Sequence, residues 1–290
     1  MSLGALLQAI VNGLVAGTIL TLPAMGFSAI FAVLRYPSFA VGALASFGAY
    51  GGWLANSRWG WPAEAALPVA FAAAAAVGVL IEWLAIRPLE PSGSLMMAIA
   101  SLALSFLLEN VLRFGFGNDL RGFDLPLLRD LNFGPIRMGP QQIKNMALSL
   151  VVMLAVWAFL RLTNTGRAMR AVADNPDLAR LRGIHPGRVA LITVVMGCGL
   201  AGIGGMLLGL DTSIDPMTGS RLMLSIFAAA VLGGLGSIPG AVAGALVIGV
   251  VEELAVFAIS PAYRTAAGFL VILLVLSWRP SGLFARRVDA

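Results

Sequence analysis

Long apolar runs separated by short polar breaks fill most of the chain. A membrane-crossing helix needs about 20 apolar residues, and run after run reaches or approaches that length. The first, from Ala5 to Leu34, contains Pro23, which predicts a bent or tilted helix, and Arg35-Tyr36-Pro37 ends it. The second, Phe39 to Leu54, is short and rich in Gly42, Gly48, Gly51 and Gly52, a composition suited to a helix enclosed by neighbours. Further runs are expected over 65–86, 95–114, 143–160 and 189–210. The stretch 219–259 is apolar throughout but is interrupted by the Gly233–Gly240 segment, and a last run covers 262–278. The interruption cannot be a straight helix. It predicts either a tight hairpin between spans or a broken, re-entrant turn, which survives at membrane depth only if buried in protein or lining water. The expected architecture is an all-α polytopic membrane protein of about eight to nine membrane segments, forming one transmembrane domain over 1–290.

Two polar stretches punctuate this pattern. One is an external loop at 115–141 that mixes acids with arginines and holds Pro126, Pro135 and Pro140. The other is a charged island within 163–187. Arg167, Arg170, Arg180, Arg182 and the flanking Arg188 place it on the cytoplasmic side. Its order of residues predicts two short helices. The first runs from Arg167 to Ala173 with Thr165 as its cap, and Asp174-Asn175-Pro176 breaks it. Asn175 then caps a second helix with Pro176 at its first position, and Gly183 ends it. Such a pair presents a compact knob to a partner, or it is a solvated connection whose arginines only fix topology. Counting crossings from the island puts the N-terminus and the 115–141 loop outside, and the turns at Arg35 and Arg87 inside. The basic tail at Arg286-Arg287 is also inside.

Composition supports the membrane reading and removes most chemistry. The 290 residues are 59% hydrophobic and 11% charged, against about a quarter charged in soluble domains. The net charge of +5 gathers at the ends of apolar runs, so it reads as orientation and not as nucleic-acid binding. The N-terminus lacks a basic leader region and an obvious cleavage site, so the first run is expected to be retained. With a single histidine, His185, and a single cysteine, Cys198, no metal site, catalytic triad or disulfide framework is expected. The Gly233–Gly240 stretch lacks the lysine of a phosphate-binding loop. Acids inside apolar runs are better clues, because charge at bilayer depth is costly and faces a polar interior. Glu82, Glu109, Glu252 and Glu253 qualify. Glu109 and Arg113, four apart, can pair on one helical face. Asn12 predicts a helix–helix hydrogen bond or a solute contact.

Several motifs carry a family resemblance. Gly166-Arg167-Ala168, Arg170-Ala171, Asn175, Ala179 and Gly183-Ile184 resemble the coupling loop of ABC-importer permeases of the branched-chain amino acid type, the LivH/LivM family. Asn12-Gly13-Leu14 with Gly17 is similar to that family's first helix. Val33-Leu34-Arg35, followed by Phe39-Ala40, Gly42 and Gly48-Ala49-Tyr50, is similar to its second motif. Val231 to Ala241 matches its glycine-rich motif, and Arg279-Pro280-Ser281-Gly282-Leu283-Phe284 resembles its C-terminal signature.

The resemblance implies a permease paired with a second permease subunit, either as a homodimer or as a heterodimer. Two cytoplasmic ABC ATPases would drive the pair, and a periplasmic or extracellular solute-binding protein would deliver the solute. The location implied is the bacterial or archaeal inner membrane. No cofactor is expected on this chain, ATP and Mg belonging to the ATPases, and the chain is not itself an enzyme. The island residues Gly166, Arg167, Arg170, Asp174, Asn175, Ala179, Gly183 and Ile184 would dock on an ATPase. Asn12, Phe39, Val41, Gly233, Gly234, Gly236 and Glu252 are the candidates for the translocation path. Where the family has a polar pair after Phe-Ala, this chain has Val41-Gly42-Ala43, so a more apolar path is expected. That path suits branched-chain or other apolar amino acids, or a related organic solute. The alternative is an ion-coupled secondary transporter or channel, which needs ion ligands at half-helix ends near the midplane.

Overall fold

The computed structural model describes residues 3–125, 129–134, 136–279 and 282. Helix α1 (Leu3–Leu34) is followed by α2 (Ala40–Ser57) and α3 (Ala63–Ile81), then by a π-turn and a 3-10 turn through Ser92. After α4 (Ser94–Phe116) comes a small hairpin, β1 (Leu131–Phe133) paired antiparallel with β2 (Ile136–Met138). Helix α5 (Pro140–Leu162) leads into the island helices α6 (Asn164–Asp174) and α7 (Pro176–Leu181). Helices α8 (Pro186–Asp211), α9 (Thr218–Gly233), α10 (Ile238–Ala258) and α11 (Arg264–Trp278) complete the bundle.

Seven helices among the described residues are long and apolar enough to cross a membrane. The protein is a multi-pass, all-α membrane protein. Two further helices match expected runs: α2, whose glycines dilute its hydropathy, and α9, which has only 16 residues. Both run from one face to the other. The start of α2 lies by Tyr36 and Glu82, while Asn56 near its end accepts the Asp124 N–H at 2.8 Å. The start of α9 follows Ile214, which pairs with Arg121. Its far end turns beside Phe31 and Ala32 of α1.

That turn settles the choice left open for the glycine-rich segment. It is a tight hairpin and not a re-entrant loop. Gly234 and Gly236 have φ of 100° and 84°, a left-handed backbone that side chains disfavour. Ser237 then caps α10, its hydroxyl accepting the Gly240 N–H at 3.2 Å. Of the C-terminal signature, only Arg279 and Gly282 are described, and Gly282 packs on Gly234. The remainder of that motif, the Arg286-Arg287 tail, Pro126 and Pro135 lie outside the described residues.

The expected sidedness holds in relative terms. Gln8 near the start of α1 clasps the β-hairpin, donating to the Arg137 carbonyl at 2.8 Å and accepting its N–H at 2.7 Å. At the other end of α1, Arg35 donates to the Ala173 carbonyl in the island. The N-terminus and the 115–141 loop therefore share one face, and the Arg35 turn and the island share the other. Helix α1 ends where Arg35 enters the left-handed region with φ of 60°. It continues through Pro23, whose ring occupies the space that Gly204 of α8 leaves free.

Helices α1 and α8 are among the most enclosed, each 78% buried over its apolar window. Helix α1 lies along both α10 and α8. Backbones meet at these crossings. A Cβ added at Gly249 of α10 would stand 2.5 Å from the Gly17 Cα. One added at Gly13 would stand 2.6 Å from the Val250 Cα. In a bundle without a hydrophobic drive between helices, such close approach supplies much of the attraction. Gly249→Ala is therefore expected to destabilise the protein by about 1–3 kcal/mol. Gly115→Ala, at a position with nothing within 4 Å of the new Cβ, should be neutral. Thermal denaturation in detergent measures both.

Candidate functional site

The island sits on the bundle through one greasy face. Met169, Val172 and Ala179 are buried against Met25 and Ala29 of α1, Val156 of α5, and Val189, Met196 and Leu200 of α8. Arg167, Arg170, Asp174 and Asn175 face water. The cap of α6 is Thr163 and not Thr165. Thr163 has an extended backbone, and its hydroxyl accepts the Gly166 N–H at 3.0 Å while donating to the Phe159 carbonyl at 2.6 Å. Only Thr163 separates α5 from α6, so Thr165 already lies inside the first turn of α6. Gly166 permits this fold-back: a Cβ there would stand 2.5 Å from the Leu160 Cα.

The second island helix forms as expected. Asn175 Oδ1 accepts the N–H groups of Asp177 and Leu178, both at 3.0 Å, and Pro176 occupies the first helical position. Gly183 takes φ of 80° and ends the helix, after which the Ile184 N–H returns to the Ala179 carbonyl at 3.0 Å. Between α6 and α7 lies a mostly apolar cavity of 180 Å³, lined by Ala171, Leu178, Ala179 and Ile184 with Asp174, Asn175 and Arg182 at its edge. Leu178 and Leu181 are left 60% and 83% exposed, which is unusual for leucines on a water-facing knob.

The residues expected along a translocation path do not converge. Asn12 accepts from Gln8 within α1 at 2.8 Å, a bond inside one helix and not between helices. Val41 is wholly buried in the core. Phe39 donates its N–H to Ser101 at 3.0 Å, and its ring lies 6.0 Å from that of Phe227. Gly233, Gly234 and Gly236 belong to the α9–α10 turn on the island face. Glu252 lies toward the opposite face, buried to 6% exposure.

Glu252 has partners that apolar patterning hid. Its carboxylate accepts the Ser225 hydroxyl at 2.6 Å and the Arg264 Nε at 3.3 Å. Arg264 also reaches Glu253 at 3.4 Å, so one guanidinium bridges two adjacent carboxylates that diverge around the helix. The expected Glu109–Arg113 pair forms at 2.5 Å, and Glu109 also accepts the Ser220 hydroxyl at 2.6 Å. Lone serines in an oily helix carry little sequence signal, and Arg264 lies beyond a helix break from its partner. On the island face, Tyr36 donates to Glu82 at 3.3 Å, and burial together with that carboxylate pushes the Tyr36 phenol upward.

With this geometry in place, comparison with known proteins decides the family. The model of the branched-chain amino acid transport system permease component matches residues 9–277. The chain belongs to this family. The branched-chain amino acid permease BraD of Pseudomonas aeruginosa is 31% identical, with 97% of this chain and 96% of that one covered. The LivH permease of Escherichia coli K12 is 32% identical over the same shares. A solved structure of PsaBC from Streptococcus pneumoniae, in complex with a Fab, shares the fold. Its TM-score is 0.50 at 13% identity, over 91% of this chain and 90% of that one. Members of this family are permease components, so the chain is a transport protein.

The loop before α9 titrates. Partial burial raises the Asp215 carboxyl, but hydrogen bonds from Arg221 and Thr218 outweigh it and hold the group below its usual value of 3.8. A depressed native pKa stabilises the fold fully above the unfolded value, and that contribution is lost as pH falls through the native one. Asp215→Asn should therefore lower the melting temperature at pH 6–7, by roughly a few degrees. The gap from wild type should close as pH drops below about 4. Melting curves in detergent across that range measure it.

Proposed function

We propose that this chain is the membrane-spanning permease subunit of an ATP-driven ABC importer for branched-chain or other apolar amino acids. The observation that carries this reading is the island. It is an amphipathic helix pair seated on α1, α5 and α8, with an apolar cavity and bare leucines facing water and arginines around them. The work of transport is then supplied by a partner, and this knob is suited to a groove on a cytoplasmic ATPase. Exposed Leu178 and Leu181 supply apolar contact, while Arg167, Arg170 and Arg182 set register. The island face is then cytoplasmic, and the face carrying the β-hairpin receives the solute-binding protein. A second permease subunit completes the path, two ATPases hold ATP and Mg, and the assembly sits in the inner membrane. Relatives named for branched-chain amino acid transport support the solute class.

Arg35 extends the coupling. Its bond to the Ala173 carbonyl ties the end of α6 to α1, the helix around which the bundle packs. Motion imposed on the island reaches the core through that helix.

Two substitutions test the role. Arg170→Glu reverses charge on the exposed side of α6, and Gly183→Pro demands a φ near −65° where the chain has 80°. Both should reduce ATP-dependent uptake by at least about tenfold, a loss of about 1.4 kcal/mol of coupling, in reconstituted vesicles with the protein still inserted. Normal uptake by both would remove the island from energy coupling. Uptake without any ATPase would favour the ion-coupled alternative.

A further inference from the structure

Two arginine–carboxylate–serine clusters flank helix α9. On one side Ser220 donates to Glu109 of α4, which also holds Arg113. On the other Ser225 donates to Glu252 of α10, which also holds Arg264 of α11. Both carboxylates are 6% exposed. Ser220 and Ser225 are five residues apart on α9, so the two clusters are stepped by about 7.5 Å along it, at 1.5 Å per residue. Room for the second cluster is made by Gly268 of α11, where a Cβ would stand 3.3 Å from Glu252 Oε1.

Ser220 and Ser225 are separated by about 140° around the helix. Within that arc α9 shows an open strip. Leu224 is 47% exposed, and Arg221 has 63% of its side chain exposed. The arginines at the borders, Arg113 and Arg264, are themselves 34% and 46% exposed. Nothing of this chain covers the strip among the described residues. The three guanidinium groups bordering the strip pair with four carboxylates, Arg113 with Glu109, Arg221 with Asp215, and Arg264 with Glu252 and Glu253. A surface so charged is poorly suited to hydrocarbon, where each charge costs several kcal/mol. It faces water.

We propose that this strip of α9 lines the solute path on the side opposite the island, and that its two charge clusters read the ends of a zwitterionic solute. Each cluster offers both signs of charge. A zwitterion can place its carboxylate on a guanidinium and its ammonium on a glutamate, exchanging partners while the local net charge stays constant. An uncharged solute gains nothing from this exchange, and an anion meets the glutamates. Leu224 between the clusters provides apolar contact for an aliphatic side chain. The inference rests on the permease reading above and gives that path its polar residues.

The test uses the complete transporter in vesicles. Cys198 is the only cysteine and is buried, so the unsubstituted chain is the blank. Leu224→Cys is compared with Leu150→Cys on α5, which is equally exposed at 49% on a peripheral helix. A water-soluble, anionic methanethiosulfonate should label Leu224→Cys at least about tenfold faster. Equal rates overturn the proposal. In the same vesicles Arg264→Gln should raise the KM for leucine uptake at least about fivefold with little change in kcat, and Arg264→Lys should recover most of it. An unchanged KM in Arg264→Gln overturns the charge-reading role. If the unsubstituted transporter takes up no leucine, the amino-acid reading fails, and the labelling comparison alone decides whether the strip is wet.

Discussion

Everything in this bundle depends on backbones being allowed to touch. Between apolar helices in lipid, oil gains nothing by leaving oil, so attraction comes from close contact and from hydrogen bonds. Gly13 and Gly17 of α1 let α10 approach until Gly249 abuts the Gly17 backbone. Gly26 does the same for α8 at Gly197, and Gly48 of α2 meets Gly202 of α8. A stripe of glycines that would weaken a helix in water thus becomes the contact surface of the core.

Many polar groups sit where packing satisfies them, although the hydroxyls of Ser28, Tyr50 and Ser149 are buried without a hydrogen-bond partner among the described residues. Serines of α9 bind carboxylates on neighbouring helices, Gln8 holds the β-hairpin, and Thr163 joins α5 to α6. The island follows the opposite logic. Its charges are in water and its methyls underneath, so it is attached by burial while its upper surface stays open.

Much of this was legible from residue order. Apolar runs located nine helices among the described residues to within a few residues, because length and hydropathy dominate in a membrane. Asn175-Pro176 and Gly183 announced α7 because caps and left-handed glycines are local chemistry. Thr165 was misread as a cap because the run pattern cannot show that α6 starts immediately after α5, which makes Thr163 the residue at the boundary. The hairpin at Gly234 could not be told from a re-entrant turn, since both need the same glycines. Asn12 and Glu252 were grouped as polar residues inside apolar runs, and Val41 as an apolar residue where the family has a polar one, yet their positions depend on which helix faces which. The partners Ser220, Ser225 and Arg264 were invisible for that same reason: tertiary pairing leaves no trace in a run of hydropathy.

The most intimate neighbour of α1 is α10, separated from it by some two hundred residues of chain. During synthesis α1 enters the bilayer with its glycine face uncovered, and α10 follows only after some two hundred further residues. Until then the face bearing Gly13 and Gly17 has no native helix to receive it from that side. Final closure of the core is thus a late event, and the nascent chain must hold its opening segment in waiting while the intermediate helices are threaded.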